Sequence, residues 1–248
     1  KNNPTGNVGK TAQNIMYAFH RMMKQAKRDG RIQSIPLFPE KEEYDLQETD
    51  FDFLWEEDQL DVINSIPIPD RYPLLWLKFH FRRPSEACAL YKTDYNPFKD
   101  EFTVKRSISA RQLWNRTKTK AIHYIPCDDN FKEIACKLIN ENPDSPFMFV
   151  NPRARNEGKR YTVESLRNIW KKARKDLEIG LYEGTKHSSC TQYINEKDGT
   201  DSELQMLTDH ARMDSVRKYR KVGTDKKRRL MRKPRLVDKS YYKTNTKK

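Results

Sequence analysis

"LTDHARMDSVRKYRKV", residues 207–222, sets His210 nine residues ahead of Tyr219 and crowds the tyrosine with Arg217, Lys218, Arg220 and Lys221. Taken alone, the stretch has two readings. Tyr219 is a surface tyrosine on a basic helix, or it is a nucleophile aimed at a phosphate. The rest of the chain has to decide between them.

With 248 residues the chain is long enough for one large domain or one and a half ordinary ones. Charged residues reach 34%, but aromatics at 11% still supply a core. The chain opens on Lys1 with no apolar segment behind it, which reads as a fragment rather than a protein with a signal peptide. No run approaches a membrane span, and the expected setting is cytoplasmic, beside the nucleoid. Of the net charge of +14, residues 223–248 carry 11 Lys/Arg against 2 Asp, while 11 Asp/Glu crowd the stretch from Glu40 to Asp61. A basic tail beside a nearly balanced body points to a polyanion, DNA or RNA ahead of membrane lipid; a solvated, disordered tail is the plain alternative. Cys88, Cys127, Cys136 and Cys190 lack CxxC spacing, so free thiols in a reducing interior are expected and a zinc site is not.

Periodicity gives a mainly α chain with one small antiparallel β-sheet, an α+β class. "TAQNIMYAFHRMMKQAKR" (11–28) carries a helical stripe of Ile15, Met16, Phe19, Met22, Met23 and Ala26. "IQSIPLFPEKEEYDLQ" (32–47) reads as a linker. A helix is expected to start near Trp55, a buried one over "YPLLWLKFHF" (72–81), and another opening at "PSEACALY" (84–91) with Pro84 in its first turn. "EFTVKRSI" (101–108) and "AIHYIPC" (121–127) are β-type runs around the basic stretch "SARQLWNRTKTK" (109–120), giving a hairpin or a three-stranded meander. Further helices are expected at 129–140, 162–178, 186–196, 201–209 and 213–221. The domains are then the end of a first domain with its linker (1–45), a main domain (46–222) and a basic tail (223–248).

Three of these stretches together resemble the tyrosine recombinases, the phage-integrase family. "RRPSEACALYKTDY" (82–95) resembles the first arginine box, "RTKTKAIHYIPC" (116–127) the β-hairpin with its lysine, and "GTKHSSCTQYI" with "LQMLTDHARMDSVRKYRKV" the second box and the nucleophile box. The opening helix and "LWEEDQLDVI" (54–63) resemble the end of the family's core-binding domain and the start of its catalytic domain. The resemblance covers most of 11–222, and its specificity lies in the order of the boxes.

The resemblance implies that Tyr219 attacks a scissile phosphate and forms a 3′-phosphotyrosyl link. Arg83 would clamp non-bridging oxygens through its guanidinium fork. Lys118, with Lys120 as competitor, would protonate the leaving 5′ oxygen. Lys186 would supply charge, and His210 a hydrogen bond to the phosphate. A phenol with a pKa near 10 needs such help at neutral pH. The bond energy is conserved, so neither ATP nor a metal or other cofactor is called for. Plainer roles stand beside these: Arg83 as a helix cap paired with Glu86, Lys118 as a solvated turn lysine, His210 as a helix-end histidine.

The sequence departs from the family at the second box, His-x-x-Arg, where it has Glu183 and Lys186. Lysine keeps the charge and loses the fork, a change worth on the order of 2–4 kcal/mol in the transition state. Glu183 either faces a cation or accepts the phenol proton, or else His187 supplies the imidazole one residue away. Contacts to double-stranded DNA are expected from Lys105 and Arg106, from Arg153 and Arg155 in "NPRARNEGKR" (151–160), and from Lys171, Lys172 and Arg174 on a basic helix face, mostly to phosphates. The family's habit implies a tetramer on DNA with C-terminal exchange. Three functions remain open here: a site-specific integrase, a type IB topoisomerase, and a DNA-binding protein of the same fold with impaired catalysis.

Overall fold

A computed structural model describes residues 8–44, 51–117, 120–153, 160–210 and 212–220. Lys118, Arg155 and the tail 223–248 lie outside the described residues. The chain divides into two compact units that part between Phe51 and Asp52. The first holds helix α1 (Val8–Arg28) and a short 3₁₀ turn, Lys41–Glu43. Phe38 packs back on Phe19 and His20, while Ile15 and Met22 of the apolar stripe stay exposed.

The second unit begins with α2 (Glu56–Asn64), α3 (Arg71–Phe79) and a single turn, α4 (Pro84–Ala87). The sheet follows as β1 (Tyr95–Asn96), β2 (Glu101–Val104), β3 (Ser107–Ser109), β4 (Gln112–Trp114) and β5 (His123–Pro126). Then come α5 (Asp129–Asn140), α6 (Val163–Ala173), α7 (Ser188–Asn195), α8 (Asp201–Thr208) and the short α9 (Asp214–Arg217). Among the described residues no helix is long and apolar enough to cross a membrane.

The two β-type runs do pair, β2 against β5 with Phe102 opposite Ile125, and β1 flanks β2. The stretch between them is not only loop: β3 and β4 form a second, separate hairpin with Ser109 opposite Gln112. The core lies under the three-stranded sheet. Trp76 of α3 meets Phe102 edge-on at 5.8 Å and stacks on His80 at 5.4 Å, and His80 meets Phe131 of α5. His80 is a satisfied core histidine. Its Nδ1 bonds the Trp76 carbonyl and its Nε2 accepts from the Asp128 N–H, and burial pushes its pKa down to about 4.

Two local features aim the site. Helix α3 ends on Phe81 in the left-handed region (φ 54°), and the Arg82 N–H bonds the Leu77 carbonyl, as in a Schellman turn where glycine is usual. The chain then runs extended through Arg83, so the neighbouring arginines leave the backbone on opposite sides.

The second feature precedes α7. Glu183–His187 winds as a π-turn, which leaves carbonyls without regular helical partners. Gln59 of α2 reaches across to donate to the Gly184 and Thr185 carbonyls (2.9 and 3.1 Å), and Lys78 of α3 holds the Gln59 side-chain oxygen. The turn sits directly on the indole of Trp170, where a Cβ at Gly184 would collide with Cζ2. Trp170 cannot retreat, since its Nε1 is tied to the Ile179 carbonyl at 3.0 Å. Gly184→Ala is therefore expected to destabilise the fold by about 2 kcal/mol through overpacking. Urea unfolding checks this; an unchanged midpoint would show that the π-turn yields freely.

A candidate active site for phosphodiester chemistry

Four segments bring their polar residues to one place. Arg83 stands at the N-cap of α4, its Nη1 3.1 Å from Glu86 Oε1 and its backbone N–H 3.1 Å from Glu86 Oε2. It thus has the cap and pairing role open to it from sequence, yet its guanidinium stays 23% exposed and lines two clefts. Arg83 also neighbours Tyr182, which lines the larger of the two clefts with it. Burial works against its charge, but Glu86 and Tyr182 outweigh burial and raise its pKa.

Behind Arg83 lies Lys186 on the π-turn. Its ammonium is fully enclosed, and Nζ has no hydrogen-bond partner among the described residues. Burial, reinforced by the charges of Arg83 and Arg82, pushes its pKa down to about 8, against the pull of Cys190 and Glu86. His210 follows α8, which a Thr200–Glu203 capping box starts and Asp209 ends in the left-handed region (φ 52°). Its Nδ1 bonds the Thr208 hydroxyl, and burial together with the Lys186 and Arg83 charges lowers its pKa to about 3.

Arg82, next to Arg83, serves a different purpose. Its guanidinium is buried and donates to Asp209 Oδ2 and the Leu207 carbonyl at 2.8 Å each, and to the His80 carbonyl at 3.0 Å. His123 of β5 approaches the same Asp209 oxygen at 3.0 Å. Arg82 thus pins the loop that presents His210.

Tyr219 is packed into this cluster. Its ring lies 5.4 Å from that of His187 and 6.0 Å from that of His210, with Lys218 Nζ 5.0 Å from its centroid. The side chain is 0% exposed, and Cys190 is among its neighbours. Burial, then Cys190 and Tyr182, drive the phenol pKa upward, and Arg83 pulls the other way. Arg220 anchors the segment through Asp201 at the start of α8, Nε to Oδ1 at 2.8 Å.

From Arg83 opens a cleft of about 790 Å³ lined also by Arg111, Arg160, Arg167 and Tyr182, with the β3–β4 turn as one wall. A second cleft, about 450 Å³, flanks Arg83 on the side of Arg116 and Lys120. Arg83 is the residue the two clefts share, so the positive charge of both meets at its guanidinium.

The profile of the phage integrase family matches residues 44–226, most of the chain. The chain belongs to the phage integrase family. Among solved structures it resembles the Tn1549 transposon integrase in complex with transposon right-end DNA, at 17% identity, TM-score 0.68, over 90% of this chain and 78% of that one. It also resembles a λ integrase dimer bound to a COC′ core site (15%, TM-score 0.58, 84% and 74%) and XerA recombinase (15%, TM-score 0.56, 76% and 66%). At these identities the likeness establishes the integrase fold. No curated protein matches the chain in sequence.

Within this integrase fold, Arg83, Lys186, His210 and Tyr219 come together, and Lys118 lies outside the described residues. Glu183 turns away: its carboxylate lies over Gly180, in the space a side chain there would fill, and it lines neither cleft. His187 packs between Tyr182 (4.4 Å, tilted) and Tyr219 (5.4 Å, edge-on).

The expected DNA contacts scatter. Arg106 is bound to Asp94 and lies over the Tyr91 ring, and Lys105 sits 3.4 Å from Asp94. Arg153 pairs with Asp70 and shares a different cleft with Lys172. Lys171 is exposed, Arg174 bonds the Leu177 carbonyl, and Arg155 is outside the described residues. Arg111, Arg116, Arg160 and Tyr182 were not singled out from sequence. Single arginines in loops carry no spacing signal, and their meaning comes only from facing Arg83.

Proposed function

We propose that this integrase is a site-specific DNA strand transferase that cuts and rejoins double-stranded DNA through Tyr219. The observation that carries the reading is the gathering of Arg83, Lys186, His210 and Tyr219 from four separate segments, with Arg83 also lining an arginine-rich cleft. In the reaction the Tyr219 oxygen attacks phosphorus, its phenol proton passes to solvent water, and the bond from phosphorus to the 5′ oxygen breaks. The product is a 3′-phosphotyrosyl link, from which a 5′-hydroxyl can displace the tyrosine without any external energy source. Arg83 and Lys186 balance the charge that builds on the non-bridging oxygens, and His210 donates a hydrogen bond there. Lys118 protonates the leaving oxygen, by resemblance to the family.

Residues 46–222 form the catalytic domain in this reading, and 1–45 the end of a DNA-clamping domain. A tetramer on two duplexes, with 223–248 exchanged between copies, is the assembly the resemblance implies. Arg111, Arg116, Arg160 and Arg167 join the phosphate-contacting set, alongside the exposed Lys171 and Lys172.

The enclosed phenol favours a latent state without DNA: the 212–220 segment has to shift for Tyr219 to reach a phosphate. The same burial, with Glu183 in place of an imidazole, gives the second reading, a DNA-binding protein with silent catalysis. A nicked duplex carrying the crossover site separates the two. The wild type is expected to accumulate a covalent protein–DNA adduct, and Tyr219→Phe to form none. Tight binding without any adduct would leave the silent reading standing, and plasmid relaxation without site preference would favour topoisomerase.

A further inference from the structure

We infer that Tyr182 is a catalytic residue of the same site, its phenol donating a hydrogen bond to a non-bridging oxygen of the scissile phosphate in place of the imidazole that Glu183 has lost. The inference rests on the strand-transfer reading and adds a residue to it.

Three observations converge on it. Tyr182 and Arg83 line the same cation-walled cleft, whereas Glu183 lines none. The two side chains are near enough for the guanidinium charge to pull on the phenol. A guanidinium only donates, so a phosphate oxygen that Arg83 holds keeps a lone pair for the phenol proton.

The ring is also braced. It packs on His187 at 4.4 Å, next to Tyr219, and it begins the π-turn that carries Lys186. Burial raises the Tyr182 pKa, against the pull of Arg83, so the group stays a proton donor at neutral pH. The π-turn accounts for the exchange of roles, because its wider winding turns position 183 toward Gly180 and leaves position 182 beside Arg83. A donor placed where charge develops is typically worth about 10²-fold in rate.

The test is single-turnover cleavage of the nicked crossover duplex by the full chain, its Tyr182→Phe variant and Tyr219→Phe. Tyr182→Phe is expected to bind the duplex as tightly as the wild type and to form the adduct about 100-fold more slowly. A second arm uses the two methylphosphonate diastereomers at the scissile position, each lacking one charged oxygen. The wild type should discriminate between them, and Tyr182→Phe should lose most of that discrimination. A purely structural role would instead slow both diastereomers alike, and would overturn the inference. So would wild-type speed in Tyr182→Phe. An adduct that survives in Tyr219→Phe and vanishes in Tyr182→Phe would make Tyr182 the nucleophile and overturn it too. If the wild type forms no adduct at all, the strand-transfer reading itself falls and takes this inference with it.

Discussion

Lys186→Met is expected to stabilise the DNA-free protein by about 3 kcal/mol at pH 7 while slowing cleavage by about 10²- to 10³-fold. The two effects have one origin. An ammonium enclosed without a hydrogen-bond partner has lost its water and gained no compensating acceptor. Arg83 and Arg82 add like charge, Glu86 and Cys190 recover part of it, and the pKa comes to rest at about 8. Each unit of depression from the ordinary lysine value is about 1.4 kcal/mol held against the folded state.

The pH dependence follows from that direction. Below pH 8 folded and unfolded chains are both protonated at this lysine, so the cost is present in full. Between 8 and about 10.4 the unfolded chain holds more protons, and stability rises across that window. Above it both forms are neutral and the cost is gone. Denaturant unfolding from pH 7 to 10 should therefore show the gap between Lys186→Met and wild type closing as pH rises. A gap that stays constant would assign the gain to apolar packing and sink the charge argument. The loss of cleavage comes from the same group: a phosphate brings the anion that the buried ammonium lacks, and methionine offers it nothing. A site that costs stability when empty is a common cost of binding a charged transition state.

Much of this was legible because it was local. The range 129–140 expected for a helix coincides with α5, since Asp128 caps it and its apolar period is regular. Arg83, His210 and Tyr219 were expected from the resemblance of short stretches to the family's boxes, and the fold brings the three near one another. What could not be read depends on contacts across the chain or on rare backbone geometry. The β3–β4 hairpin turns on Ala110 and Arg111, both at positive φ (49° and 64°), without the Asn-Gly pair that normally announces such a turn. The helix expected from Pro84 stops after one turn.

The role of Tyr182 was hidden because nothing in "LYEGTKH" marks a π-turn. The His-x-x-Arg register of the second box pointed to Glu183 as the residue beside the phosphate. Arg106 and Arg153 looked like DNA contacts by charge alone; their partners, Asp94 and Asp70, are distant enough in sequence to be invisible.

Arg82→Ala and Arg83→Ala should fail in opposite ways, although the residues are neighbours of the same type. Arg82 is buried and spends its donors on Asp209, Leu207 and His80. Removing it orphans two carbonyls and leaves the Asp209 carboxylate with His123, whose pKa burial has lowered so that it is mostly neutral at pH 7. The expected loss is about 3 kcal/mol, concentrated in the 207–210 loop. Arg83 keeps one face in the cleft, and Glu86 still accepts the backbone N–H when the guanidinium goes. Its loss leaves the buried Glu86 carboxylate with that one donor, which should cost about 2 kcal/mol of stability, and about 10²- to 10³-fold in cleavage.

Unfolding midpoints and single-turnover rates on the same preparations separate the two. Cleavage by Arg82→Ala should recover when an osmolyte such as trimethylamine N-oxide restores folding, because Arg82 acts by positioning His210. Cleavage by Arg83→Ala should not recover, because in the proposed strand transfer the missing group is the one that meets the phosphate. Finding instead that Arg83→Ala unfolds readily while Arg82→Ala stays folded and cleaves poorly would exchange their assignments and move the phosphate site to the Asp209 side of the strand.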